Sequence, residues 1–124
     1  MYELAVRRKF SAAHQLRGYQ GKCEALHGHT YQVEVRVRAE KLDHLGLAVD
    51  FTELKRLIDD RLERYDHHLL NEVPPYDQIN PSAENMARVI YEALQKDLPA
   101  GVSLWRVAVW ESEDASASYF EGPA

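Results

Sequence analysis

The chain has 124 residues, 45% of them apolar, and 15 Lys plus Arg against 20 Asp plus Glu give a formal charge of −5. A chain of this length buries roughly two-thirds of its unfolded surface, enough for one domain over 1–124 without a structural metal, and its one cysteine excludes an internal disulfide. The longest apolar runs fall short of a membrane span, no apolar signal core follows Arg7, Arg8 and Lys9, and the acidic balance argues against a broad nucleic-acid or lipid surface, so a reducing cytoplasm is expected.

Tyr2 to His14 has strand character through Phe10, and Arg17 to Gly28 reads as the loop leading to a second strand. From Thr30 to Glu40 alternation is strict: Tyr31, Val33, Val35, Val37 and Ala39 on one face, Gln32, Glu34, Arg36 and Arg38 on the other. Asp50 with Glu53 resembles a capping box, and Leu54, Leu57, Ile58, Leu62 and Tyr65 follow at helical spacing, which predicts a helix over 51–64. A second helix is predicted after Asn80 as N-cap, with Pro81 at its first position, an inner stripe of Ala83, Met86, Ala87, Ile90, Ala93 and Leu94, and an end near Lys96. Val102 to Trp110 reads as a strand apolar on both faces, Val102, Leu104, Ala108 and Trp110 opposing Trp105, Val107 and Val109. The helices can cover one of those faces, and a second subunit is expected on the other. With a last strand over 115–121 the order is ββααββ, an α+β fold with a four-stranded antiparallel sheet and both helices on one face.

Chemistry concentrates in few positions. His27 and His29 are two apart on a strand and share a face, and a hairpin between the first two strands brings His14 alongside them. Three neutral imidazoles with an open fourth position are typical of catalytic zinc, although the same donors suit copper, iron or nickel, and three hydrogen-bonding histidines are the plainer reading. Cys23, four residues before His27, is either a small buried hydrophobe or a thiol that a nearby cation converts to a usable base. Asp66 can fix the tautomer of His67 and make it a proton shuttle, or the two can be surface neighbours. By alternation Glu111 lies on the face of Trp105, Val107 and Val109 at the edge of buried surface. There it needs a partner such as the paired N–H groups of a guanine or pterin ring, unless it is a solvated strand end.

Taken together, Phe10-Ser11-Ala12-Ala13-His14, Cys23-Glu24-Ala25-Leu26-His27-Gly28-His29, Val49-Asp50-Phe51, Tyr65-Asp66-His67-His68-Leu69-Leu70-Asn71, Asn80-Pro81-Ser82-Ala83-Glu84-Asn85 and Trp110-Glu111-Ser112 resemble the 6-pyruvoyl-tetrahydropterin synthase family. The branch most resembled is the bacterial one that makes 6-carboxy-tetrahydropterin for queuosine. The resemblance implies the tunnelling fold, a multi-subunit barrel assembled as a homohexamer of two trimers. It also implies 7,8-dihydroneopterin triphosphate as substrate, with acetaldehyde and triphosphate released. His14, His27 and His29 match the family's zinc ligands, Cys23 its base, His67 with Asp66 its second proton-transfer group, and Glu111 its pterin anchor. Ser82 and Ala83 stand where relatives often carry threonine, which leaves Ser82 to supply the family's hydroxyl contact to the pterin. Glu24 beside Cys23 also satisfies the pattern of a sister branch that forms a hydroxymethyl-dihydropterin for folate, and elimination to the pyruvoyl product is a further alternative. For the triphosphate, Lys9, Arg17 and Lys22 are candidates by charge.

Overall fold

The computed structural model describes residues 1–18 and 25–122. Strands β1 (Tyr2–His14) and β2 (His27–Ala39) are followed by helix α1 (Phe51–Leu62), a 3-10 turn at Leu70–Glu72, helix α2 (Ala83–Gln95), and strands β3 (Val102–Trp110) and β4 (Ser116–Tyr119). The strands form one antiparallel sheet in the order β1-β2-β3-β4. The predicted order ββααββ is therefore present, with β2 starting at His27, α1 stopping at Leu62, and β4 shorter than the predicted 115–121. No helix among the described residues is long and apolar enough to cross a membrane.

The alternation of β2 decides where the core lies. Tyr31, Val33, Val35 and Val37 have no exposed surface, and they meet Phe10 and Val6 of β1, Val107 and Val109 of β3, and the inner faces of both helices. Each such valine stabilises the fold by roughly 1.5–3 kcal/mol relative to leaving it exposed. The opposite face of the same strand is ionic: Glu34 accepts from Arg7 at 2.8 Å and Arg36 at 3.1 Å, while Glu3 accepts from Arg36 at 3.0 Å and Arg38 at 2.9 Å. Burial pushes the Glu34 carboxyl up, but the two guanidiniums outweigh it and hold it below the usual carboxylate range.

Three local readings are corrected. In β3 the register slips between Arg36 and Val37, because Trp105 is an extra residue between the pairs Arg36–Arg106 and Val37–Leu104. This bulge changes the phase, so Leu104 joins Val107 and Val109 in the core instead of opposing them. On the outer face, Arg38 lies 3.5 Å over the Trp105 ring and Arg106 4.6 Å over Phe120, so part of that face is covered within the chain. At α1, Asp50 accepts from Thr52 N–H at 2.8 Å, and Glu53 pairs with Arg56 rather than closing a capping box. At α2 the N-cap is Ser82, whose Oγ accepts from Asn85 N–H at 3.1 Å, and Asn80 lies outside the helix.

Candidate metal centre

The β1–β2 register pairs His14 with His27 and Ala12 with His29, and antiparallel partners share a face. The three imidazoles therefore converge at one end of the core face, and one ligand nitrogen from each lies within 4.8 Å of the others. Carbonyls fix two of the tautomers. His14 Nδ1 donates to Pro81 C=O at 2.8 Å and His27 Nδ1 donates to Ala25 C=O at 2.6 Å, since a carbonyl only accepts. A neutral ring protonated at Nδ1 has a bare lone pair at Nε2, yet the Nε2 atoms of His14 and His27 are 3.0 Å apart. Two lone pairs at that separation repel unless a cation or a proton lies between them. His29 Nε2 is buried with no hydrogen-bond partner. Burial pushes His14 and His29 below the ordinary histidine range, which favours the neutral, ligating form. The donor set thus fits a divalent metal ion. Gly28 is not demanded by space within the chain, since a Cβ there would meet only the Ala12 carbonyl at 3.7 Å.

Asp66 and His67 follow α1 on a segment that runs along the free edge of β1. Asp66 Oδ1 accepts from Ser11 N–H at 3.0 Å, His67 N–H donates to Ser11 C=O at 2.6 Å, and Ala13 N–H donates to His68 C=O at 3.1 Å. The edge pairing holds His67 at φ 59°, a left-handed conformation uncommon for a side chain of this size. Its Nδ1 lies 3.0 Å from Asp66 Oδ2 while the ring is 82% exposed, above an open cleft walled by Ala12, Gly28 and His29. The Ser11 amide, first among the causes, holds the Asp66 carboxyl below the usual range. Cys23 and Lys22 lie outside the described residues.

Glu111 stands one step beyond the last β2–β3 pair, Gln32–Trp110, and so faces Tyr31 across the register. Its negative charge favours protonation of His14 and His29, opposing the effect of their burial. With Leu16, Ser82, Glu84 and Ala117 it lines a separate depression at the start of α2. Arg17 is exposed, yet its guanidinium donates to the carbonyls of Tyr76 at 2.9 Å and of Asn71 and Ile79 at 3.3 Å each. Lys9 lies on the opposite sheet face, in a hollow shared with Arg7, Thr30 and Trp110.

The family model for 6-pyruvoyl tetrahydropterin synthase matches residues 3–122. The chain belongs to this family. Among its relatives, a Pyrococcus furiosus protein named dihydroneopterin monophosphate aldolase is 37% identical over 111 residues, 90% of each chain. A Synechocystis 6-carboxy-5,6,7,8-tetrahydropterin synthase is 35% identical over 117 residues, covering 90% of this chain and 87% of its own. The solved 6-pyruvoyl tetrahydropterin synthase of Caenorhabditis elegans superposes with a TM-score of 0.82 over 98% of both chains at 26% identity. Asn71 and Asn80 are structural groups around the centre that the sequence pattern does not single out as such. The one signal is an Asn directly before Pro81, which equally suits a helix cap.

Proposed function

We propose that the protein is a zinc-dependent lyase that converts 7,8-dihydroneopterin triphosphate and one water to 6-carboxy-5,6,7,8-tetrahydropterin, acetaldehyde and triphosphate, the water supplying the second carboxylate oxygen, in cytoplasmic synthesis of the deazapurine queuosine. The observation that carries this reading is the convergence of His14, His27 and His29, with bare nitrogens facing one another and no fourth ligand in the cluster among the described residues. Zinc bound there would supply Lewis acidity toward the oxygens of the substrate side chain and so acidify the adjoining C–H. Glu111 accepts the paired N–H groups of the pterin ring in bidentate fashion and sets its orientation. Ser82 Oγ accepts from the Asn85 amide and retains its own proton to donate to the ring. Cys23 as thiolate takes a proton from the side chain, and His67, steadied by Asp66, moves the second proton from the other side. Triphosphate elimination and carbon–carbon cleavage require no redox cofactor.

The working unit is a homo-oligomer, a hexamer of two trimers with sites between subunits. The 82% exposure of the His67 ring suits a group that meets its substrate against a neighbouring chain. A second reading, cleavage to a 6-hydroxymethyl-dihydropterin, is favoured by the similarity to the Pyrococcus aldolase and by Glu24 beside Cys23. The test is to incubate zinc-loaded protein with 7,8-dihydroneopterin triphosphate, trap aldehydes with a hydrazine, and identify products by mass spectrometry. Acetaldehyde with a carboxy-tetrahydropterin is expected. A hydroxymethyl pterin selects the second reading, and triphosphate release without any aldehyde selects the pyruvoyl synthase reaction.

A further inference from the structure

Beyond the last residue of β1 the chain leaves the sheet, yet its peptides remain paired. Gln15 N–H donates to Asn71 Oδ1 at 2.8 Å, and Asn71 Nδ2 returns a bond to Gln15 C=O at 2.8 Å. Two residues on, the pattern repeats: Arg17 N–H donates to Asn80 Oδ1 at 2.8 Å, and Asn80 Nδ2 donates to Arg17 C=O at 2.9 Å. A carboxamide presents a carbonyl acceptor and an N–H donor side by side in one plane, so each asparagine substitutes for a neighbouring strand. The Arg17 guanidinium then gathers three carbonyls of the same 71–79 segment. Asn80 is itself held, its carbonyl accepting from Asn85 Nδ2 at 2.9 Å, and the next residue is Pro81, whose carbonyl takes the His14 Nδ1 proton.

We propose that Asn71, Asn80 and Arg17 form a clamp that positions the Pro81 carbonyl against His14 and thereby presets this histidine as a metal ligand. The inference rests on the reading of the histidine trio as a metal centre and adds positioning residues to it. Partners that orient ligand imidazoles typically affect metal affinity by about 10–100-fold when removed. The clamp directs three of the five guanidinium N–H groups of Arg17 to backbone oxygens, which a lysine could gather less well because it lacks the planar fork.

The test measures Zn2+ and Co2+ affinity by chelator competition, together with the urea midpoint of the metal-free protein, for Asn80→Ala, Arg17→Met and Arg17→Lys. Arg8→Met serves as control, since it breaks a paired contact to Asp59 on α1, remote from the histidines. Asn80→Ala and Arg17→Met are expected to weaken both metals about tenfold or more, Arg17→Lys less, and Arg8→Met not at all. Unchanged affinity in the clamp variants overturns the proposal. So does an equal loss in Arg8→Met at a matched urea midpoint, which would make the effect one of general stability. If Asn80→Ala does not fold, the two Arg17 variants decide. Failure of the wild-type protein to bind either metal sinks the metal-centre reading itself.

Discussion

Two groups of histidines stand a few residues apart in the fold and are built in opposite ways. His14, His27 and His29 come from paired strands, with tautomers fixed by carbonyls and no carboxylate among their hydrogen-bond partners. His67 comes from a turn with positive φ, lies almost wholly in solvent, and has a carboxylate at its ring nitrogen. The first arrangement favours neutral rings that can donate lone pairs. The second exposes a ring to whatever fills the cleft, with a carboxylate at one of its nitrogens. Ligation and the proton transfer proposed for His67 make different demands on the same side chain, and strand or turn gives each histidine a different backbone setting.

The comparison breaks most sharply at the buried group. His29→Ala leaves two imidazoles; metal affinity is expected to fall roughly 100-fold or more and turnover to vanish with it, read by chelator competition and product assay. Full activity at normal metal content would remove His29 from the site. For the exposed group the expectation is a split: His67→Ala and Asp66→Asn should each lower turnover by about 10²–10⁴-fold while metal content stays that of the wild type. The same split is expected of Cys23→Ala, at the proposed base. Metal loss in Cys23→Ala would make that residue a ligand instead of a base. Glu111→Gln keeps shape and removes charge; substrate binding is expected to weaken by about 2 kcal/mol, some 30-fold, because ring N–H groups lose a charged acceptor. An unchanged affinity in a fluorescence titration would end its anchoring role.

The smallest effect is on stability against pH. In metal-free protein His14 and His29 lie below the ordinary histidine value of 6.5. Between that value and their own, the unfolded chain binds protons that the native chain does not. Native stability is therefore undiminished by these groups above the ordinary value and falls as pH drops beneath it. Urea midpoints at about pH 7.5 and about pH 5.5 should show this fall, and His29→Ala should make it shallower. Identical slopes in the two proteins would mean that burial does not penalise the charged ring.

Much of this was legible in the sequence because it is carried by local period. Alternation over Thr30 to Glu40 placed Tyr31 and three valines in the core, and the H-x-H spacing with a hairpin placed His14 beside His27 and His29. The period-two reading failed at Trp105, where one inserted residue reverses the phase of Leu104, a change that no single-strand pattern reveals. It failed again at Asn80, where capping competed with a distant backbone. Asn80 and Ser82 both have cap chemistry, and only the position of Arg17, sixty-three residues away in sequence, assigns Asn80 elsewhere. The ionic face of β2 was readable as polar, but its pairing of Glu3 and Glu34 with three arginines needed the β1 register.

The bulge at Trp105 behaves like a single inserted letter whose removal restores the frame. Deleting Trp105 would leave Leu104, Arg106, Val107 and Ala108 in plain alternation opposite Val37, Arg36, Val35 and Glu34, with every core side chain still inward. The stacking of Arg38 on the indole would be the loss. Deleting any of the residues from Val107 to Trp110 would instead turn part of the strand inside out. Chain length at this one place can therefore drift by a residue while the sheet around it stays fixed.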